Sequence, residues 1–212
     1  MKFTLTYEGE LGSNGSPAKK WEIRQHLHPQ LVELWRVNPV LQVALRDRTM
    51  PVGMAVFTTD HHHSLDSTWG PPNPPQPGIR TIDLCAPIER GGRKFVPLVR
   101  ESHALNCALK ITFLRKEEPG RVYQGGDMDN RLKTLFDALA IPSADQIVND
   151  GGNADEPIYC VLEDDRLITG FNVESHRLLT KPGVSERHVQ LLIEVEVRLT
   201  QARSYNQFFL GG

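Results

Sequence analysis

The distribution of apolar and polar positions divides the chain into strand-like and helix-like stretches. Met1 to Tyr7 alternates as a strand does, and is followed by a turn-rich segment from Gly9 to Pro17. Ser16 before Pro17 is a helix-capping pair, with the proline at the first helical position. From Ala18 to Val37, Trp21, Leu27, Leu31, Leu34 and Trp35 recur at helical spacing, with Pro29 expected to kink or split the segment. A second short helix is expected from Val40 to Leu45. Residues 50–78 carry His61-His62-His63 and a run of prolines from Pro71 to Pro77, a composition that predicts a long loop or polyproline arm.

Strand patterns return at Ile79 to Ile88 and Phe95 to Val99, with a basic hairpin tip from Arg90 to Lys94, and then at Leu105 to Leu114. The period changes at Asp127 to Leu139, where Leu132, Leu135, Phe136 and Leu139 fall at i, i+3, i+4, i+7 on one helical face. Further strands are predicted at Tyr159 to Leu162, Leu167 to Val173 and Val189 to Leu199. In the last of these, Leu191, Ile193, Val195, Val197 and Leu199 alternate with more polar positions. The order implies an α+β domain in which a small mixed sheet packs with helices.

Composition narrows the possibilities. With 212 residues, 39% of them hydrophobic and 24% charged, the chain can build one sizeable core, and we expect one domain over 1–212. No apolar run approaches the ~20 residues that a membrane helix needs, and the start lacks the core of a signal peptide, so a cytoplasmic location without membrane contact is expected. Cys85, Cys107 and Cys160 are widely spaced and form no CxxC pair, which suggests neither disulfides nor zinc. A formal net charge of -2 is not the basic excess usual for a protein that binds phosphate backbones.

The chemistry concentrates between Gly126 and Leu139. Asp127 and Asp129, two residues apart where a helix begins, can converge on a hard cation that demands oxygen ligands. Asp129, Lys133 and Asp137 follow at i, i+4, i+8 as a polar stripe beside the apolar face. Asp164-Asp165 closes an apolar strand and can deliver a third carboxylate. Phosphodiester hydrolysis needs an activated water and neutralisation of growing phosphoryl charge, and a divalent ion held by carboxylates with a lysine beside it supplies both. Read singly, the same residues are a helix cap, an exposed i,i+4 ion pair and an acidic turn.

At these residues the sequence resembles the RusA-type Holliday junction resolvases, whose hallmark is a D-x-D-N-x-x-K-x-x-x-D-A-L helix followed by a D-D pair. Asp127, Asp129, Asn130, Lys133, Asp137, Ala138 and Leu139 match the helix motif, and Asp164-Asp165 match the pair. The resemblance implies a catalytic set of Asp127, Asp129, Lys133 and Asp165, with Asp127, Asp129 and Asp165, joined by Asp164, as ligands for Mg2+ or Mn2+. It further implies a RusA-like fold and a homodimer that grips a four-way DNA junction and resolves it. The match covers a core at 1–14 and 104–200, leaving 15–103 as a large N-terminal insertion. The connection from Leu139 to Asp164 is longer than the family pattern, so Asp150, Asp155 and Glu156 are alternative third carboxylates.

The basic residues expected to meet phosphate are Lys19, Lys20, Arg90, Arg93, Lys94, Arg115, Lys116, Arg121 and Arg131. Trp21, Trp35 and Phe136 suit a packed core better than a base-stacking surface. The adjacent histidines at 61–63 do not place two rings on one face for a metal, and a surface loop is the simpler expectation. No glycine-rich phosphate loop or nucleophile elbow is present. The leading expectation is a magnesium-dependent, structure-selective endodeoxyribonuclease. Its rival is a non-catalytic DNA-binding or assembly protein that retains the fold. A long amphipathic strand such as Val189 to Leu199 offers a route to a two-fold interface.

Overall fold

A computed structural model describes residues 1–46, 49–51, 81–116, 127–148, 153–179, 185, 187–203, 205–207 and 209, with side chains described for all of these except 46, 49–51, 81 and 127. The histidine triplet, the proline run, Arg121 and Asp150 lie outside the described residues.

The elements in chain order are β1 (Lys2–Glu10), α1 (Pro17–Val37), α2 (Pro39–Arg46), β2 (Thr49–Pro51), β3 (Thr81–Asp83), β4 (Ile88–Arg90), β5 (Arg93–Val99), β6 (Leu105–Arg115), α3 (Asp127–Leu139), β7 (Ile158–Leu162), β8 (Ile168–Arg177) and β9 (His188–Leu199). The chain is therefore α+β. Its strands divide among a four-stranded sheet of order β1-β9-β6-β8, a three-stranded sheet β4-β5-β7 and the ribbon β2-β3. Both larger sheets are mixed, since β6 pairs parallel to β8 and antiparallel to β9, and β5 pairs parallel to β7 and antiparallel to β4.

The single sheet expected from the pattern is split where the chain leaves β5. Arg100 O accepts from the amides of His103 and Leu105, and Ala104 adopts a left-handed φ of 52°, so the chain reverses before β6 begins. Inside that turn the buried Arg100 donates Nε to Pro97 O at 3.0 Å.

One face of the four-stranded sheet carries the core. Leu5 and Tyr7, then Val189, Leu191, Ile193, Val195 and Val197, then Cys107, Leu109, Ile111 and Phe113 are buried along successive strands, as the alternation requires. α1 lies against β1, β7 and α3 and buries Ile23, Leu27, Leu31 and Trp35 in the same core, while Trp21 joins Phe95, Ile141, Ile158 and Cys160 in a smaller cluster.

Pro29 neither splits nor ends α1, which is continuous through it. A proline inside a helix loses one backbone bond and crowds the preceding turn. Here the flanking Leu27 and Leu31 are both buried, so packing holds the helix on either side. Ser16 caps α1 as expected, accepting from the Lys19 amide at 3.2 Å.

β9 lies between β1 and β6, so its backbone edges are both used and it cannot pair across a two-fold axis. The free edges of this sheet among the described residues are β1 and β8. The C-terminal stretch, which shows no clear periodicity, is fastened by buried Tyr205 and Phe209, with the Met1 amino group donating to Phe209 O at 2.9 Å. Among the described residues no helix is long and apolar enough to cross a membrane.

Candidate functional site

α3 supplies the polar stripe. Met128, Leu132, Leu135, Ala138 and Leu139 face the core, while Asp129 and Lys133 are exposed and Asp137 is half-buried beside them. Asp127 is the first residue of this helix.

Two connections fix where α3 ends. The buried Arg24 of α1 donates Nη2 to the carbonyl oxygens of Asp137 at 2.8 Å and Ala140 at 2.9 Å, and Nε to Ala140 O at 3.2 Å. These are the carbonyls that a helix C-terminus leaves unpaired, and a cation there also meets the negative end of the backbone dipole. Just beyond, the Ile141 amide donates to Leu162 O at 3.0 Å, and Ala140 bridges Leu162 in parallel. The last residue of β7 is thereby tied to the end of α3, and Glu163-Asp164-Asp165 must emerge beside that helix.

Asp164 caps a single 3-10 turn over Asp165–Leu167, accepting from the Arg166 amide at 3.1 Å. Arg166 also pairs with Glu101, whose amide donates to Glu163 at 3.1 Å. The Asp165 carboxyl is pushed above the ordinary carboxylate range, first by partial burial and then by the charges of Asp164 and Asp137. Among the described side chains of α3, which leave out that of Asp127, the carboxylate that Asp165 senses is Asp137, two helical turns beyond Asp129.

Asp155 and Glu156 lie before the other end of β7. Five strand residues at roughly 3.3 Å each separate them from Asp164, and Asp155 is occupied by Lys94 at 3.1 Å. The strand thus sets both apart from Asp164-Asp165.

The opposite flank of α3 meets the start of α1. Asn14 has a left-handed φ of 57°, which turns the chain so that the Gly15 amide donates to Thr134 Oγ1 at 2.9 Å. A Cβ at Gly15 would overlap Thr134 Cγ2, so only glycine permits this approach. Lys20, one turn before Arg24, places its Nζ 2.6 Å from Asp137 Oδ2. Asn14, Gly15, Lys20, Asn130, Lys133, Thr134 and Asp137 line a polar cleft of about 180 Å3.

The basic residues sort into different roles. Arg93, Arg115 and Arg131 are buried, so they do not present an open phosphate-facing surface. Arg93 donates to Asn153 O at 3.2 Å and lies over Trp21, and Arg115 donates to Ser175 Oγ at 3.1 Å. Lys19 pairs with Glu22 at 2.7 Å and Lys94 with Asp155, while Arg90 and Lys116 are half-buried. Trp21 and Trp35 are core residues, whereas Phe136 is half-buried and its ring meets that of Phe171.

Cys85, Cys107 and Cys160 are free and buried, and burial pushes the thiols of Cys107 and Cys160 up to about 12 and about 11, so both stay protonated and poor as ligands. Among the described side chains, which leave out that of Asp127, no group of three or more histidine, cysteine, aspartate or glutamate residues is arranged to hold a metal.

Arg24 was not singled out in the sequence, and Lys20, expected to meet phosphate, pairs with Asp137. The i,i+4 spacing of these two cations on α1 was the available signal that they share a face. Compared with known proteins, the chain matches no family model, no curated protein and no solved structure.

Proposed function

We propose that this protein is a divalent-metal-dependent endodeoxyribonuclease that cuts branched DNA, acting as the RusA-type Holliday junction resolvases do. The reading is supported by the attachment of β7 to the end of α3, where Asp165 senses Asp137, the last carboxylate of the stripe that begins at Asp129. The donor chemistry suits a hard cation: carboxylate oxygens are offered, and the Asp165 pKa, raised first by partial burial and then by the charges of Asp164 and Asp137, includes a repulsion that a cation relieves.

In this reading Asp127, Asp129 and Asp165, with Asp164 beside them, would hold Mg2+ or Mn2+, which when bound would supply an acidified water and charge neutralisation at the scissile phosphate. Lys133, exposed on the same face, directs a fixed positive charge at the phosphoryl oxygens as they become more anionic. Lys20 and Arg24 hold the far end of the helix and keep that face in place.

A homodimer completes the reading, because a four-way junction is two-fold symmetric and needs paired cuts. Its contacts would use the free edges or the outer face of the four-stranded sheet, β9 being interior. The large segment between 15 and 103 then serves in part as the brace that α1 provides.

A second reading has its own support. Asp137 is already paired with Lys20, which suits a non-catalytic DNA-binding or assembly protein with the same fold. A nicking assay on synthetic four-way junctions separates the two. The nuclease reading expects strand cuts near the branch that require Mg2+ or Mn2+, and binding without cuts at any metal concentration would favour its rival.

A further inference from the structure

Glycine apart, every residue lining the cleft between the start of α1 and α3 is polar. Some of these groups are already used. Thr134 Oγ1 donates to Asn130 O at 3.0 Å and accepts from the Gly15 amide, while Asp137 is held by Lys20 at 2.6 Å. Others are not. Among the described residues, the side-chain amides of Asn14 and Asn130 and the ammonium of Lys133 make no hydrogen bond or ion pair. Lys20 spends one of its three donors on Asp137.

Two lysines thus line the cleft against one carboxylate, and donors outnumber acceptors. An anion that offers only acceptor oxygens is the complement of such a lining. At about 180 Å3 the cleft is smaller than the ~300–1,000 Å3 pockets that take whole small molecules, so it admits one phosphate group and not a nucleoside.

The cleft adjoins the candidate site through Lys133. At 100° per residue, Lys133 lies about 40° from Asp129 and about 60° from Asn130 around α3, and so stands between the carboxylate edge and the cleft. A strand with its scissile phosphate at Lys133 has its next phosphate within reach of the cleft. The opposite wall is set in advance, because Asn14 is held at a left-handed φ of 57° and Gly15 is locked to Thr134.

Resting on the nuclease reading, we propose that this cleft seats the backbone phosphate next to the scissile one, with the amides of Asn14 and Asn130 and the remaining donors of Lys20 as its ligands. Anchoring that phosphate fixes the register of the strand, and with it the bond that reaches the carboxylates.

The test uses the full-length protein, without metal, and four-way junctions in which one backbone phosphate at a time is replaced by a neutral methylphosphonate. The parent should lose affinity about tenfold at one linkage beside the branch. Asn14→Gly, which keeps the left-handed turn, and Asn130→Ala should each bind the unmodified junction about tenfold more weakly, melt no lower than the parent, and lose the sensitivity at that linkage alone. Two variants that bind as the parent does, or that keep its full methylphosphonate profile, overturn the proposal. Calorimetry with inorganic phosphate distinguishes the source: phosphate bound by the parent and by neither variant, with junction affinity unchanged, assigns the cleft to a free phosphate and overturns the strand contact. The same outcomes separate the contact from the reading beneath it. Metal-dependent cutting with no effect of either variant on binding rejects the contact alone, the full effect in a protein that never cuts supports the contact and rejects the nuclease, and no binding to branched DNA rejects both.

Discussion

Lys20 Nζ lies 2.6 Å from Asp137 Oδ2, which joins α1 to the carboxylate stripe of α3 through two side chains that are only 15% and 23% exposed. With the contacts of Gly15 and Arg24, it is one of the links by which the 15–103 segment reaches α3. Partial burial makes it stronger than a surface pair, and partial exposure keeps it weaker than a fully buried one. A double-mutant cycle of Lys20→Met and Asp137→Asn, read by urea unfolding, should give a coupling of about 1 kcal/mol. Strict additivity would mean the two residues stabilise the fold independently.

Gly15 makes a steric prediction. Gly15→Ala forces a methyl group onto Thr134 Cγ2 and should destabilise the protein by about 1–3 kcal/mol, the usual range for overpacking. Thr134→Ser removes that methyl and keeps the hydroxyl that accepts from the Gly15 amide. The double variant should therefore recover most of the lost stability in thermal melts. Failure to recover would place the strain elsewhere in the loop.

Stability in acid should depend on His103. Burial first, and then the neighbouring Arg100, push its pKa down to about 3 from an ordinary 6.5, with Asp83 opposing. The folded protein keeps the ring neutral while the unfolded chain protonates it. The stability is therefore fully present above about pH 6.5 and is lost as the pH falls toward 3, by up to about 1.4 kcal/mol per unit within that window. His103→Gln should flatten this part of the stability–pH curve. An unchanged slope between pH 6.5 and 4 would assign acid sensitivity to other groups.

What could be read from the amino acids depended on the range of the interaction. α3 and β9 follow local periods, Leu132, Leu135 and Leu139 in one and Leu191, Ile193 and Val195 in the other, and both formed as the pattern indicates. The polar stripe of Asp129, Lys133 and Asp137 was legible for the same reason. The neighbours of β9 were not, because strand order is set by pairings nearly two hundred residues apart, such as Phe3 with Val195. Arg115 and Arg131 read as surface cations because composition does not reveal burial. That Asp155 and Asp164 stand at opposite ends of β7 was equally hidden.

Lys133 should act on turnover and not on docking. Its exposed position on the carboxylate face predicts that Lys133→Ala lowers the cutting rate by about a hundredfold, the scale of one well-aimed donor, with little change in junction affinity. Weaker binding with normal turnover would make it a docking residue.

The aspartates at the start of α3 are the proposed metal ligands. The direct measurement is cleavage of a four-way junction in Mg2+ by the parent protein, Asp127→Asn and Asp129→Asn, with junction binding followed in parallel. The account predicts paired nicks by the parent alone, and junction binding by both variants that equals or exceeds the parent's, because each loses a negative charge near phosphate. Cutting by both variants at the parent's rate would contradict it.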